Sequence, residues 1–359
     1  MRIIKQGLIS RITDSFFNFQ SWPSACIDEN GVIYVVCSGY RMGHVDPFGK
    51  TVLYKSRDGG GTYSLPVIVN DHYLDDRDAG ILYLGGGEFI VTRCSHPAAS
   101  YETEYRDWIF TDSGEAGLGL LKHYNSIPAD ERRGGCYYRI LTDYAEKAQE
   151  EKRIPVHCPH GPILLQSCRI FYLGKEVFSE DPSRKDKFSV YISDDRGRTF
   201  IKHAECPIPD GYTSDQFHEV HCAELPSGRI LALFRTHLTD DDLYFTIMKT
   251  YSDDGGKTWS VWEKTGICGS PPHLCRLPDG RCILTYGRRV SPYGIYGREV
   301  SPEGEISDNE FQLAACSEID SDLGYPATVV LHDGTLYTAY YARFESDSYA
   351  SLFYVKWEI

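Results

Sequence analysis

Apolar residues along this chain fall in short runs separated by turns rich in glycine, aspartate and serine, the pattern of strands rather than of an amphipathic helix. The stretch from Glu219 to Arg235 is typical: an apolar strand, a turn at Gly228, and a second apolar strand. This hairpin recurs about six times, with turn glycines at Gly31, Gly86 or Gly87, Gly228, Gly280 and Gly334, while the third copy carries Cys168 where a glycine would stand. Nine residues before each turn lies the head of the first strand: Trp22, Arg77 or Asp78, Pro159 beside His160, Glu219, Pro271 and Tyr325. These heads are 52 to 60 residues apart except for 81 between the second and third, which places an insertion at about residues 98–155. The strongest helical text of the insertion, Asp143 to Arg153, predicts a helix decorating one face.

A second repeat sits on the first. The octapeptide Ser-x-Asp-x-Gly-x-Thr-aromatic occurs at Ser56 to Tyr63, Ser193 to Phe200 and Ser252 to Trp259, each after a strand-like run. Its residue types suit a turn: serine and aspartate bond local backbone, glycine permits positive φ, and the aromatic packs the turn down. An EF-hand reading fails on the acidic spacing. Blade-sized units of four strands predict an all-β chain, one six-bladed β-propeller domain over residues 1–359. The last unit shows three strands before Ile359, so Ile3 to Ile9 is expected to supply its fourth and close the ring.

Composition narrows the partners. The net charge of −14 argues against nucleic acid or an anionic membrane, and any anionic substrate would need arginines concentrated locally. No stretch reaches membrane-spanning length and the N-terminus lacks a signal-peptide pattern, so a cytoplasmic location is expected. The 12 cysteines include no CxxC pair and read as reduced core thiols. His160, His218, His221 and His273 follow no metal-ligand spacing, so polar contacts to a sugar are favoured over a metal, and no cofactor is expected. Walker, dinucleotide and Gly-x-Ser-x-Gly motifs are absent.

If each first strand runs from one mouth of the central channel down to its turn and the second returns, the six heads meet at that mouth. Glu219, Tyr325, His160, Arg77 and Asp78 would gather there, joined by Arg235 and Arg289 at the ends of returning strands.

The octapeptides resemble the Asp boxes of the sialidase (neuraminidase) superfamily, which lie in outer hairpins of propeller blades. That resemblance extends over nearly the whole chain and implies a retaining exo-glycosidase acting on a terminal, acidic sugar of a glycan. Gly324 to Ala327 looks like the nucleophile segment, with Tyr325 as nucleophile and Glu219 as its base. Asp46, on the glycine-flanked loop Gly43 to Gly49, looks like the acid/base, and Arg235 and Arg289 like arginines for the sugar carboxylate. Arg288 and Arg298 compete with Arg289 for that place. The chain departs from the pattern at Trp22-Pro23, where the first arginine would precede Ile-Pro, unless Arg77 or Arg41 replaces it. An aromatic at Trp22 would suit stacking on a sugar. Plainer readings stand beside these: a core tyrosine at Tyr325, ion pairs at Glu219, Arg235 and Arg77–Asp78, a turn-shaping Asp46. A propeller that binds glycan without cleaving it, a lyase, and a glycosidase for another sugar remain open.

Overall fold

The computed structural model describes residues 1–359 except 180, 239–244, 318–320 and 345–348, and the side chain of Asn125. Among the described residues the strands form six antiparallel sheets arranged as a six-bladed β-propeller. From the channel outward, the first blade comprises Phe19–Ile27, Ile33–Arg41, Lys50–Ser56 and Val67–Asn70. The fourth comprises Phe217–Glu224, Ile230–Thr236, Thr246–Ser252 and Glu263–Cys268. The sixth comprises Gly324–Val330, Leu336–Ala342 and Ser351–Glu358, completed by the N-terminal strand Arg2–Ser10. The inner strands of the second, third and fifth blades are Arg77–Gly85, the short Ile163–Leu164, and His273–Arg276.

The expected ring closure is present. Arg2 pairs with Glu358 and Leu8 with Phe353 along the last strand. The closing strand also reaches sideways: Gln6 donates to the Leu313 carbonyl at 3.0 Å and Ser10 to the Tyr54 hydroxyl at 2.9 Å, tying the sixth blade to the fifth and first. The hairpin turns follow the sequence repeat, with Gly31, Gly228, Gly280 and Gly334 all at positive φ. Cys168 takes the same left-handed conformation, φ 63°, without the freedom of a glycine.

All three octapeptides sit in the turn from third to fourth strand, at the end of the blade opposite the strand heads. Their hydrogen bonds are nearly superimposable. In the second, Ser193 donates to Asp195 (2.8 Å), and Asp195 accepts from the Thr199 amide (2.9 Å) and hydroxyl (2.6 Å). The serine oxygen accepts from the Gly197 amide (2.8 Å). The first and third turns repeat this set on Asp58 and Asp254. These bonds hold Asp58 and Asp195 at a pKa of about 2. The glycine of the octapeptide presses against the preceding blade: a Cβ on Gly197 would meet Ile90, and one on Gly256 would meet Phe171.

The insertion corrects one expectation. Helix forms at Ala98–Glu102 and Arg106–Leu120, between the second and third strands of the second blade, but not at 143–153. There Asp143, Tyr144 and Ala145 have φ of 55°, 54° and 62°, and the chain turns back as short strands Lys147–Ala148 and Lys152–Arg153 against Gly135–Thr142. Backbone pairing and the Lys55–Glu146 ion pair (2.5 Å) outweigh helix propensity, which amounts to only a few tenths of a kcal/mol per residue, roughly. Among the described residues no helix is long and apolar enough to cross a membrane.

Adjacent glycines isolate the contact between blades. Gly255 (φ 74°) has open space around its Cβ position, whereas a Cβ on Gly256 (φ 90°) would lie 2.5 Å from the Phe171 ring. Gly255→Ala should therefore cost only the left-handed backbone penalty, about 1–2 kcal/mol. Gly256→Ala should add overpacking of about 1–3 kcal/mol. Equal losses in urea denaturation of the two variants would show that the turn does not brace its neighbour.

Candidate functional site

Four of the six strand heads leave the pleat in the same way. Trp22, Asp78, His160 and Tyr325 have φ of 52°, 56°, 73° and 47°. The ladders slip beside three of them, between Ser21 and Ser24, Arg77 and Gly80, and Gly324 and Ala327, and again between Phe217 and Val220 around Glu219. Bulges of this kind turn a side chain out of its sheet face, here toward the mouth of the channel. A cavity of ≈ 380 Å³ results, lined by Trp22, Arg77, Asp78, Glu219, Arg235, Arg289 and Tyr325 among others. A second cavity of ≈ 580 Å³ shares His44, Arg235 and Arg289 with it.

At the centre, the Tyr325 hydroxyl donates to Glu219 Oε1 at 2.5 Å. Arg235 Nη1 donates to both Glu219 oxygens, at 2.9 and 3.1 Å, and lies 3.4 Å from the Tyr325 hydroxyl. Burial pushes the Glu219 carboxyl up, but Arg235, His218 and the tyrosine hydrogen bond outweigh it and hold the pKa at about 2. The phenol moves the other way, raised by burial and then by the Glu219 charge. The pair is therefore a carboxylate accepting from a neutral phenol.

Arg289 approaches the Tyr325 ring to 5.8 Å from its centroid, and its Nε and Nη2 have no hydrogen-bond partner among the described residues. Its two rivals turn outward. Arg288 pairs with Glu310 at 3.0 Å, and Arg298 bonds the Tyr286 hydroxyl and the Ser307 carbonyl. Trp22, 1% exposed, has two guanidinium carbons near its ring, Arg77 at 4.4 Å and Arg41 at 4.8 Å. Arg77 lines the cavity, donating to Asp78 Oδ2 at 3.3 Å.

Two expected residues stand elsewhere. Arg41 is fully buried, binds Asp75 through both Nη atoms and does not line either cavity, so it cannot stand in for the missing arginine. Asp46 is also fully buried: its oxygens accept from the Met42 amide (2.7 Å) and the Phe48 amide (2.5 Å). Burial raises its pKa to about 6 against the pull of Arg41, but it shapes the loop rather than facing the cavity. The loop presents His44 instead. His44 Nδ1 lies 2.9 Å from Asp322 Oδ2, Asp322 Oδ1 accepts from the Tyr341 hydroxyl at 2.5 Å, and the imidazole meets the Trp22 ring edge-on at 5.0 Å. His160 lies deeper, 6.2 Å from the Tyr325 ring and 4.9 Å from His273, lining a separate cavity among the inner strands.

No motif in the sequence marks His44, Cys94, His96, His157 or Asp322 as cavity residues, nor the inserted helices, whose Tyr105, Trp108 and Asp112 line the cavities. For His44 and Asp322 the signal is proximity: His44 lies two residues from Asp46 and Asp322 three from Tyr325. Asp78, Cys94 and His157 form a group whose ligand atoms lie within 4.8 Å of one another, a candidate metal centre.

No protein-family profile matches the chain, and no curated protein sequence does. Solved structures do match it. A Dyadobacter fermentans protein of unknown function shares 23% identity over 100% of this chain and 99% of its own, with a TM-score of 0.77. The NanB sialidase of Streptococcus pneumoniae shares 15% over 98% of this chain and 70% of its own, at a TM-score of 0.71. The intramolecular trans-sialidase of Ruminococcus gnavus, solved with oseltamivir carboxylate, shares 15% over 98% and 97%, at 0.67. At these identities the likeness is one of architecture: the chain has a sialidase-like six-bladed fold.

Proposed function

We propose that the cavity is the active site of a retaining glycosidase that removes a terminal acidic sugar, of the sialic-acid class, from a glycan. The observation that carries this reading is the Tyr325–Glu219–Arg235 cluster, in which a neutral phenol donates to an ionised carboxylate held by an arginine. Tyr325 Oη attacks the anomeric carbon while its proton passes to Glu219 Oε1, so charge does not build on the nucleophile before the bond forms. A neutral phenol also avoids repelling an anionic glycone. Arg77, Arg235 and Arg289 supply the positive charge for the sugar carboxylate, and the unpartnered Nε and Nη2 of Arg289 are placed for a planar two-oxygen acceptor. Trp22, in the place of an arginine, gives the site an apolar wall.

His44 is the group best placed to protonate the leaving oxygen. Asp322 orients its Nδ1, Tyr341 anchors Asp322, and His44 lines both cavities. After the aglycone departs, His44 takes a proton from water, which attacks the anomeric carbon and releases Tyr325, whose oxygen regains its proton from Glu219. This places in His44 the role expected of Asp46.

Turnover of an aryl α-sialoside tests the assignment. Tyr325→Phe should lose at least about 10³-fold in kcat while binding of the free sugar acid survives. An intact, folded protein that binds the sugar acid but releases no aryl group would leave a glycan-binding propeller instead; an ultraviolet-absorbing unsaturated product would mark a lyase. His44→Gln should lose about 10²–10⁴-fold on a poor alkyl leaving group and much less on an activated aryl one. An equal loss on both would remove His44 from proton donation. Because Glu219 sits at about 2, it stays ionised down through the ordinary glutamate value of 4.5, so Glu219 should contribute no acid limb to kcat/KM near 4.5. A limb there that persists when His157 and His218 are each replaced by glutamine would mean that Glu219 is not held by Arg235 and Tyr325.

A further inference from the structure

We propose that Asp78, Cys94 and His157 form a binding site for a borderline-soft divalent metal ion, zinc by its chemistry, in the wall of the main cavity. The site stands independently of whether the cavity turns over a sugar. The three ligand atoms lie within 4.8 Å of one another, and Cys94 Sγ is 3.9 Å from Asp78 Oδ2. Metal–ligand bonds of about 2.0–2.3 Å ask the group to close by roughly 1 Å, a movement of side chains rather than of strands.

Buried polar atoms point to an occupant. His157 is 8% exposed, and neither of its ring nitrogens has a hydrogen-bond partner among the described residues; Asp78 Oδ1 also lacks one. Buried polar groups are ordinarily satisfied, and one metal ion would satisfy one nitrogen of His157 and Oδ1 of Asp78 together. Arg77 takes the other oxygen, Oδ2, at 3.3 Å, so the guanidinium and the metal divide the carboxylate between them. The nearby positive charge weakens the metal's hold without occupying its position.

The ligands are rigidly presented from separate elements. Asp78 is bulged out of the second blade's inner strand with its amide bonded to Ser38 Oγ at 2.9 Å. Cys94 lies on the adjacent strand opposite Arg77. His157 precedes the third blade and exchanges both backbone hydrogen bonds with Lys175, at 3.0 and 2.9 Å. One thiolate, one imidazole and one carboxylate suit Zn²⁺ or Co²⁺ and disfavour the oxygen-seeking Mg²⁺ and Ca²⁺. All three residues line the cavity, so a fourth coordination position faces whatever enters it.

Cobalt provides a reading that does not depend on catalysis. Full-length protein freed of metal with a chelator should take up one equivalent of Co²⁺ with a thiolate-to-cobalt charge-transfer band in the near ultraviolet and intense tetrahedral bands in the visible, both bleached by Zn²⁺. Cys94→Ser should abolish the charge-transfer band, His157→Gln should weaken Co²⁺ binding by at least about tenfold, and Cys168→Ser, at an exposed thiol, should leave both unchanged. Circular dichroism shows whether each variant is folded; if Cys94→Ser is not, His157→Gln alone carries the test. Absence of a thiolate band in the wild-type protein, its persistence in folded Cys94→Ser, or unchanged affinity in folded His157→Gln overturns the proposal.

Discussion

The closure of six sheets into a ring is the constraint on which the rest of the molecule depends. Residues far apart in the chain, Trp22, Asp78, Glu219 and Tyr325, reach one cavity only because each heads an inner strand of its own blade and the blades surround one channel. The N-terminal strand makes the closure, covering the outer edge of Ser351–Glu358 and bonding to the fifth and first blades through Gln6 and Ser10. Pairing an otherwise open edge removes a site of aggregation and joins the chain's beginning to its end. At the opposite face, the octapeptide turns of three blades brace their neighbours by backbone approach at Gly60, Gly197 and Gly256. The ends of the propeller thus divide their work: turns hold the ring together at one, and bulged strand heads gather chemistry at the other.

The mouth concentrates charge inside a protein of net charge −14. Buried ions are costly unless paired, and here the pairing is graded. Arg41 and Asp75 neutralise each other away from the cavity. Arg235 pairs with Glu219 while lining both cavities, and Arg289 has nitrogens unpartnered among the described residues. That gradient, from sealed structural pairs to arginines that line the cavity, gives it a positive lining without a basic surface. His157, His160 and His218 are kept neutral by burial, which lowers each to about 4, so they add hydrogen-bonding and ligand capacity rather than charge.

Local rules set the repeat and therefore the architecture. Hairpin turns announce themselves through glycine and the octapeptides through their own side-chain hydrogen bonds, so both are written within about ten residues. Cys168 shows that even a missing glycine is legible when the period is strong: the hairpin imposes φ 63° on it. The period in turn placed Tyr325, Glu219, Arg235 and Arg289 around one cavity from sequence alone. Where the period is silent, local composition does not decide the structure. Asp143 to Arg153 has helical composition, but its backbone partners lie on strands already built, and the loop from Gly43 to Gly49 shows two polar residues whose orientations no local pattern distinguishes.

The sequence by itself determined the number of blades, the strand that closes the ring and the residues that head each inner strand, because all of these follow from spacing along the chain. Only the tertiary structure decided that Asp46 turns inward to cap backbone amides while His44 turns outward to Asp322, and that Arg41 is sealed against Asp75. It alone brought Asp78, Cys94 and His157 within 4.8 Å. Arg41 and Asp75 pair across 34 residues and His44 and Asp322 across 278, and burial and pairing between such distant groups leave no period for a sequence to display.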